Sequence, residues 1–200
     1  MMEREDLQLD EDIPSMLQTT QGKISKLESD CFYLLQSLMF TLSFVIVLFT
    51  FVCPITKVSG ESMEPTLHDG QTLLVWIFFG YTPAIHDIVI ITDPTVEEFG
   101  GSSIVKRVIA LEGQTVEIDY VDHQVRVDGI PIYEPYILEQ MRPIYGDLDQ
   151  GVLTVPEGCI FVLGDNRNHS SDSRSPSIGM VNVGYVKGKV LLSLWPFEFF

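Results

Sequence analysis

From Phe32 to Val52 the chain passes through 21 residues without one charged side chain, and its Leu, Phe, Val and Ile residues fall on every face of a helix drawn through them. A helix with no polar face is buried, either in a protein core or in lipid. At about 1.5 Å rise per residue the run spans roughly 30 Å, the thickness of a bilayer's hydrocarbon core. A removed export leader would have a shorter apolar stretch close behind a basic start, ending in small residues. Here the run begins late and leaves through Val52-Cys53-Pro54, so residues 31–53 are expected to form a retained transmembrane helix. Lys23 and Lys26 precede it and only Lys57 follows closely. Cytoplasmic flanks carry the excess of Lys and Arg, which predicts a single-pass plasma-membrane protein with its N-terminus in the cytoplasm and residues 54–200 outside.

Residues 1–30 hold eight acids, three bases and few large apolar groups, the composition of a disordered acidic tail. The whole chain of 200 residues has 28 Asp+Glu against 12 Lys+Arg, a net charge of −16. Nine cations spread thinly after Cys53 cannot make the basic stripe that displaces phosphate counterions, so nucleic acid is excluded as a partner. Cys31 and Cys53 stand at opposite ends of the expected span, too far apart to bridge. Cys159 is left alone in an apolar run and reads as a buried, inert thiol. No metal-ligand spacing is present, and no metal or other cofactor is expected.

Beyond Pro54 the helical period gives way to short β-branched and aromatic runs separated by Gly, Pro and Asp. Residues 73–79, 87–91, 104–110, 115–120, 124–127, 159–163 and 187–194 each read as strands. Asp128-Gly129 after the alternating Val125 and Val127 is a hairpin signal, because a tight hairpin turn needs positive φ. In residues 73–79 both strand faces are apolar, which fits burial on both sides or one face laid on lipid. The aromatic ending Leu194-Trp195-Pro196-Phe197-Glu198-Phe199-Phe200 raises the same choice.

Three segments carry chemistry. Ser59-Gly60-Glu61-Ser62-Met63-Glu64-Pro65-Thr66-Leu67 follows the membrane exit, Lys106-Arg107-Val108-Ile109 comes 44 residues after Ser62, and residues 164–174 read Gly-Asp-Asn-Arg-Asn-His-Ser-Ser-Asp-Ser-Arg. In this order and spacing they resemble the type I signal peptidases of peptidase family S26, membrane-anchored serine proteases that remove signal peptides, over about residues 30–197. The resemblance implies a mainly β protein: a transmembrane helix, then an all-β catalytic domain of residues 54–111 and 153–197, with residues 112–152 as a smaller inserted β subdomain. It further implies exported preproteins as substrates and membrane lipid as a neighbour, and the protein is expected to be a monomer.

By the same resemblance Ser62 is the nucleophile and Lys106 its general base. A serine hydroxyl is a poor nucleophile until a base takes its proton, and a lysine does that only when neutral. Bringing its usual pKa of ~10.4 near neutrality needs a differential interaction of about 4 kcal/mol, which desolvation among Ile104, Val105, Val108 and Ile109 would supply. Ser170 matches a serine that orients the lysine amine. Asp172 and Arg174 match an ion pair that braces the loop, and Asp165, Arg167 and Arg107 are expected to be structural in the same way. The oxyanion would be held by the Ser62 backbone N–H and by a second group at Gly60, where the Gram-positive-type branch of the family relies on backbone. Substrate would lie as an extended strand between Thr56–Ser59 and Ser103–Val105, with small residues at the first and third positions before the scissile bond. Val58, Met63, Leu67, Ile88, Ile104 and Val105 are the pocket candidates.

Two turns depart from the family pattern: His86-Asp87 stands where Gly-Asp is usual, and Leu111-Glu112-Gly113-Gln114 where Leu-Pro-Gly-Asp is usual. A Ser62–His169–Asp165 triad is an alternative arrangement of the same residues. Related self-cleaving repressors share a similar Ser/Lys pair but carry a DNA-binding head where this chain has its apolar span. The alternative of another class is a catalytically silent, membrane-tethered binding module.

Overall fold

The computed structural model describes residues 5–77, 80–96, 102–143, 151–195 and 197–200, with side chains from Lys23 onward except Ile24. It divides into two units, residues 1–48 and 49–200.

The described part of the first unit is one α-helix, α1, Glu5–Val47, and a π-helical turn, Leu48–Val52, follows it in the chain. The expected disordered tail is therefore helical from Glu5. Glu, Leu, Gln and Met favour helix, and each residue added to a helix already nucleated gains a hydrogen bond without a new nucleus. Ser25–Val52 is long and apolar enough to cross a membrane.

The second unit is built from two antiparallel sheets. In chain order its strands are β1 (Ile55–Lys57), β2 (Thr72–Trp76), β3 (Ile88–Ile91), β4 (Ile104–Leu111), β5 (Thr115–Asp119), β6 (Gln124–Val127), β7 (Ile130–Pro131), β8 (Val152–Thr154), β9 (Cys159–Leu163), β10 (Val181–Asn182), β11 (Val186–Trp195) and β12 (Phe197–Phe199). The larger sheet has the order β1-β2-β11-β3-β4-β9-β10, with β12 paired to β11, and the smaller has β7-β6-β5-β8. The strands too short to show a period, β1, β7, β8, β10 and β12, are the ones the sequence does not announce.

Asp128 and Gly129 both take positive φ, 51° and 74°, and turn β6 directly into β7. The smaller sheet reaches Thr154, two residues past the expected end of the insertion. It packs on the larger sheet through one core, in which Val116, Val125 and Val127 meet Ile109, Ala110, Phe161 and Leu163. Cys159 is only half-buried at the edge of that core, not the fully buried thiol expected. On β2, Leu73 and Val75 are buried, Thr72 and Leu74 on the other face are half-buried, and Trp76 is exposed; Phe78 and Phe79 lie outside the described residues.

His86 occupies the turn into β3 with φ 72°, a left-handed conformation that glycine takes without strain, at the departure from Gly-Asp. The following Asp87 is a junction: Lys189 Nζ lies 2.6 Å from Oδ1, and Tyr81 Oη and the Ala84 N–H donate to Oδ2 at 2.5 and 3.0 Å. Burial pushes this carboxyl's pKa up, but Lys189, Tyr81 and the Ala84 amide outweigh it, and the net shift is downward. A lowered folded-state pKa means the stabilisation is complete above the ordinary carboxylate range and is lost as pH falls through the lowered value. Thermal melts between pH 7 and pH 2 should show a smaller acid-limb loss in Asp87→Asn than in the parent.

Candidate active site

β1 runs into a turn whose interior is apolar: Met63 and Leu67 are buried with Val58, Leu73, Val75, Ile88, Ile90 and Val190. Sinking Met63 fixes Ser62 beside it at the surface of that core. Lys106 sits opposite Val89 in the β3–β4 pairing, on the central part of the larger sheet, with 3% of its surface exposed. Its Nζ donates to Ser62 Oγ at 2.8 Å. That contact makes a proton transfer between hydroxyl and amine geometrically direct.

The loop after β9 holds the backbone around Ser62. The Asn166 N–H donates to Ser62 O and its Nδ2 to Glu61 O, both at 3.1 Å. Gly164 is what permits the approach: a Cβ there would stand 2.2 Å from Ser170 Oγ and 2.4 Å from Ser62 O. Asp165 is fully buried and takes Arg107 bidentately, Nε to Oδ1 at 2.9 Å and Nη2 to Oδ2 at 2.6 Å, with Thr66 Oγ1 donating to Oδ2 at 2.5 Å. Asp172 and Arg174 form a second buried bidentate pair, Nε–Oδ1 2.8 Å and Nη2–Oδ2 3.0 Å, and Asp172 also accepts from the Gly164 N–H. Arg167 pairs with Glu134 through both Nη nitrogens. Tyr136, two residues on, stacks under the Arg107 guanidinium at 4.1 Å. Burial, helped by the Glu134 charge, raises the Tyr136 pKa and keeps it a neutral donor to Glu134.

Several sequence expectations land elsewhere. The Ser170 hydroxyl is buried but has no hydrogen-bond partner, so the lysine-orienting contact is not made. The Gly60 N–H donates to Asp69 Oδ1 at 2.8 Å, because φ 92° turns it toward that carboxylate, and is already engaged. His169 is exposed and Asp165 is committed to Arg107 and Thr66, so the Ser–His–Asp arrangement does not form. Thr56, Val58, Ser59, Met63, Ser103, Ile104 and Val105 line a cavity of about 100 Å³ against Ser62 and Lys106, joined by Lys57 and Ile90. Leu67 and Ile88 do not line it; both are buried in the core beneath Met63, one step too deep on the same face.

Three separated segments thus converge on one hydrogen-bonded Ser–Lys pair, and residues 31–195 match the family model described as signal peptidase, peptidase S26. The chain belongs to that family. It is 31% identical to signal peptidase I of Bacillus licheniformis over 90% of this chain and 96% of that protein. It is 37% identical to signal peptidase I of Bacillus caldolyticus over 72% and 80% of the two chains. A solved signal peptidase I from Enterococcus faecalis is 33% identical and covers 55% of this chain and 97% of its own, with a TM-score of 0.43. Of the residues around the pair in this S26 member, Glu134, Tyr136, Gly164 and Asn166 were not assigned roles from sequence. Gly164 and Asn166 stand inside a quoted motif, whereas Glu134 and Tyr136 lie in the insertion and carry no local signal.

Proposed function

We propose that this protein is a membrane-anchored serine endopeptidase that removes signal peptides from exported preproteins, with Ser62 as nucleophile and Lys106 as general base. The 2.8 Å contact between Lys106 Nζ and Ser62 Oγ, in a chain of this family, carries the reading. Neutral Lys106 takes the hydroxyl proton as Oγ bonds to the scissile carbonyl carbon. The carbon–nitrogen bond then breaks, the proton passes to the leaving amine, and an acyl-enzyme on Ser62 remains. Lys106 next takes a proton from water as the water oxygen attacks the acyl carbon; the bond to Ser62 Oγ breaks, Lys106 returns that proton to Oγ, and the signal peptide leaves with a free carboxyl group that ionises in water. The Ser62 N–H supplies an oxyanion donor; Gly60 could join it only by releasing Asp69.

The apolar helix within Ser25–Val52 serves as the anchor, a reading supported by its length and composition, and Lys23 and Lys26 before the uncharged run against Lys57 alone close after it favour an outer β domain. Exposed Trp76, Leu194, Trp195, Phe197 and Phe199 on neighbouring strands β2, β11 and β12 give that domain an aromatic face for lipid, which a chain of net charge −16 could not approach through charge.

Detergent-solubilised protein should cut a preprotein whose signal ends in Ala-X-Ala, and Ser62→Ala should not. No cleavage by the parent would favour a silent binding module. Activity should rise as pH passes the ionisation of Lys106, because the neutral amine is the working form. His169→Ala should keep most of the activity, and near-complete loss would defeat the Ser/Lys assignment. Gly164→Ala should lower kcat by about 10²-fold at little change in KM, since its Cβ would push on the Ser62 carbonyl by a fraction of an ångström.

A further inference from the structure

Two cavities meet at the Ser62–Lys106 pair. Both are lined by Ser59, Ser62, Ile104 and Lys106; the smaller continues between β1 and β4 past Val58 and Val105. The larger, about 340 Å³, leads the other way past Gly60, Glu61, His169 and Ser171 to Ile178. Its volume falls within the range of ligand clefts, about 300–1,000 Å³. An extended chain whose residues before the scissile bond fill the first cavity must leave its attacked carbonyl in the direction of the second. The two differ in chemistry. The smaller mixes apolar Val58, Met63, Ile90 and Val105 with hydroxyl side chains and Lys57 and has no carboxylate, while the larger holds the exposed carboxylate of Glu61 and no Arg or Lys besides Lys106.

We propose that the larger cavity binds the first residues of the released chain, and that Glu61 is a specificity-determining residue that favours cationic and disfavours acidic side chains at the two positions after the scissile bond. The proposal rests on the endopeptidase reading. Lys106 works as a neutral base, so Glu61 sets the sign of the field on this side of the site. Glu61 acts through its side chain alone; its backbone carbonyl is held by Asn166 and stays so when the side chain is changed. Because the carboxylate is solvated, the preference is modest and weakens with salt.

The test is kcat/KM for peptides identical through Ala-X-Ala and differing only in Lys, Gln or Glu at the two following positions. The parent should prefer Lys over Gln over Glu, by about two- to five-fold per step at low ionic strength, compressing toward equality at 0.5 M salt. Glu61→Gln should flatten the order and Glu61→Lys should invert it. An order unchanged by Glu61→Lys, or a parent indifferent to these positions, overturns the proposal while leaving the endopeptidase reading intact. Should Glu61→Lys fail to fold, the salt series on the parent decides: a preference that does not compress overturns it. Failure of the underlying reading looks different, since then no peptide is cut or Ser62→Ala remains active.

Discussion

Lys106→Met lowers kcat for preprotein cleavage by about 10²- to 10⁴-fold, the span that a positioned general base contributes, and leaves the thermal melt unchanged or slightly raised. Lys106 is almost completely buried between β3 and the Ser62 turn, so a thioether of similar length fills its space without a desolvation penalty. Loss of activity with retained stability separates catalysis from folding. Lys106→Arg is the sharper variant. It keeps the cation and the reach, but a guanidinium does not lose its proton, so it should be as inactive as the methionine variant. Near-parental turnover by Lys106→Arg would refute the general-base role, whereas an electrostatic role would survive that substitution.

Glu134→Ala destabilises the β unit by about 3–5 kcal/mol, because it strands the Arg167 guanidinium, 1% exposed, without its counter-ion. At roughly 2–4 °C per kcal/mol for a unit of this size, the melting temperature should fall by roughly 6–20 °C. Replacing both partners, Glu134→Met with Arg167→Met, should recover most of that loss, since an apolar pair of similar volume has no charge to desolvate. A single variant that melts with the parent would mean that water reaches Arg167 and that the pair holds nothing. Activity should fall further than stability, because Arg167 Nε also holds Gly164 O, at the start of the loop that grips Ser62.

The long strands were legible because their alternation survives in any context, and six of the seven predicted runs differ from β3, β4, β5, β6, β9 and β11 by at most one residue at either end. At the seventh, Thr72–Trp76, the described strand stops short of the predicted run. The Ser62–Lys106 pairing was anticipated because the two motifs stand in a recognisable order, yet nothing local to Ser62 says that a lysine 44 residues away completes it. Contacts made by single polar groups were the least legible. Whether the Gly60 N–H faces a substrate or Asp69 depends on one backbone dihedral, and whether Ser170 reaches a lysine depends on one rotamer. Glu134 and Tyr136 were hidden for another reason: a bracing partner has only to be in reach after folding, and here it comes from the insertion, 33 residues before Arg167. The composition of residues 5–30 predicts disorder because it offers little apolar surface to bury, yet a helix continued from an apolar run needs no new nucleus and little burial of its own.

The strand order has a consequence for the timing of synthesis. Ser62 follows β1, which is sewn to β2; Lys106 lies on β4, which is sewn to β3; and the seam between these halves is β11, residues 186–195, which pairs with β2 on one side and β3 on the other. Until that late strand has emerged, the sheet lacks the piece that joins the half bearing Ser62 to the half bearing Lys106. A growing chain that already carries every residue through Arg174 is thus still without the strand that completes this sheet, and the Ser62–Lys106 contact belongs to the finished fold rather than to any earlier length of chain.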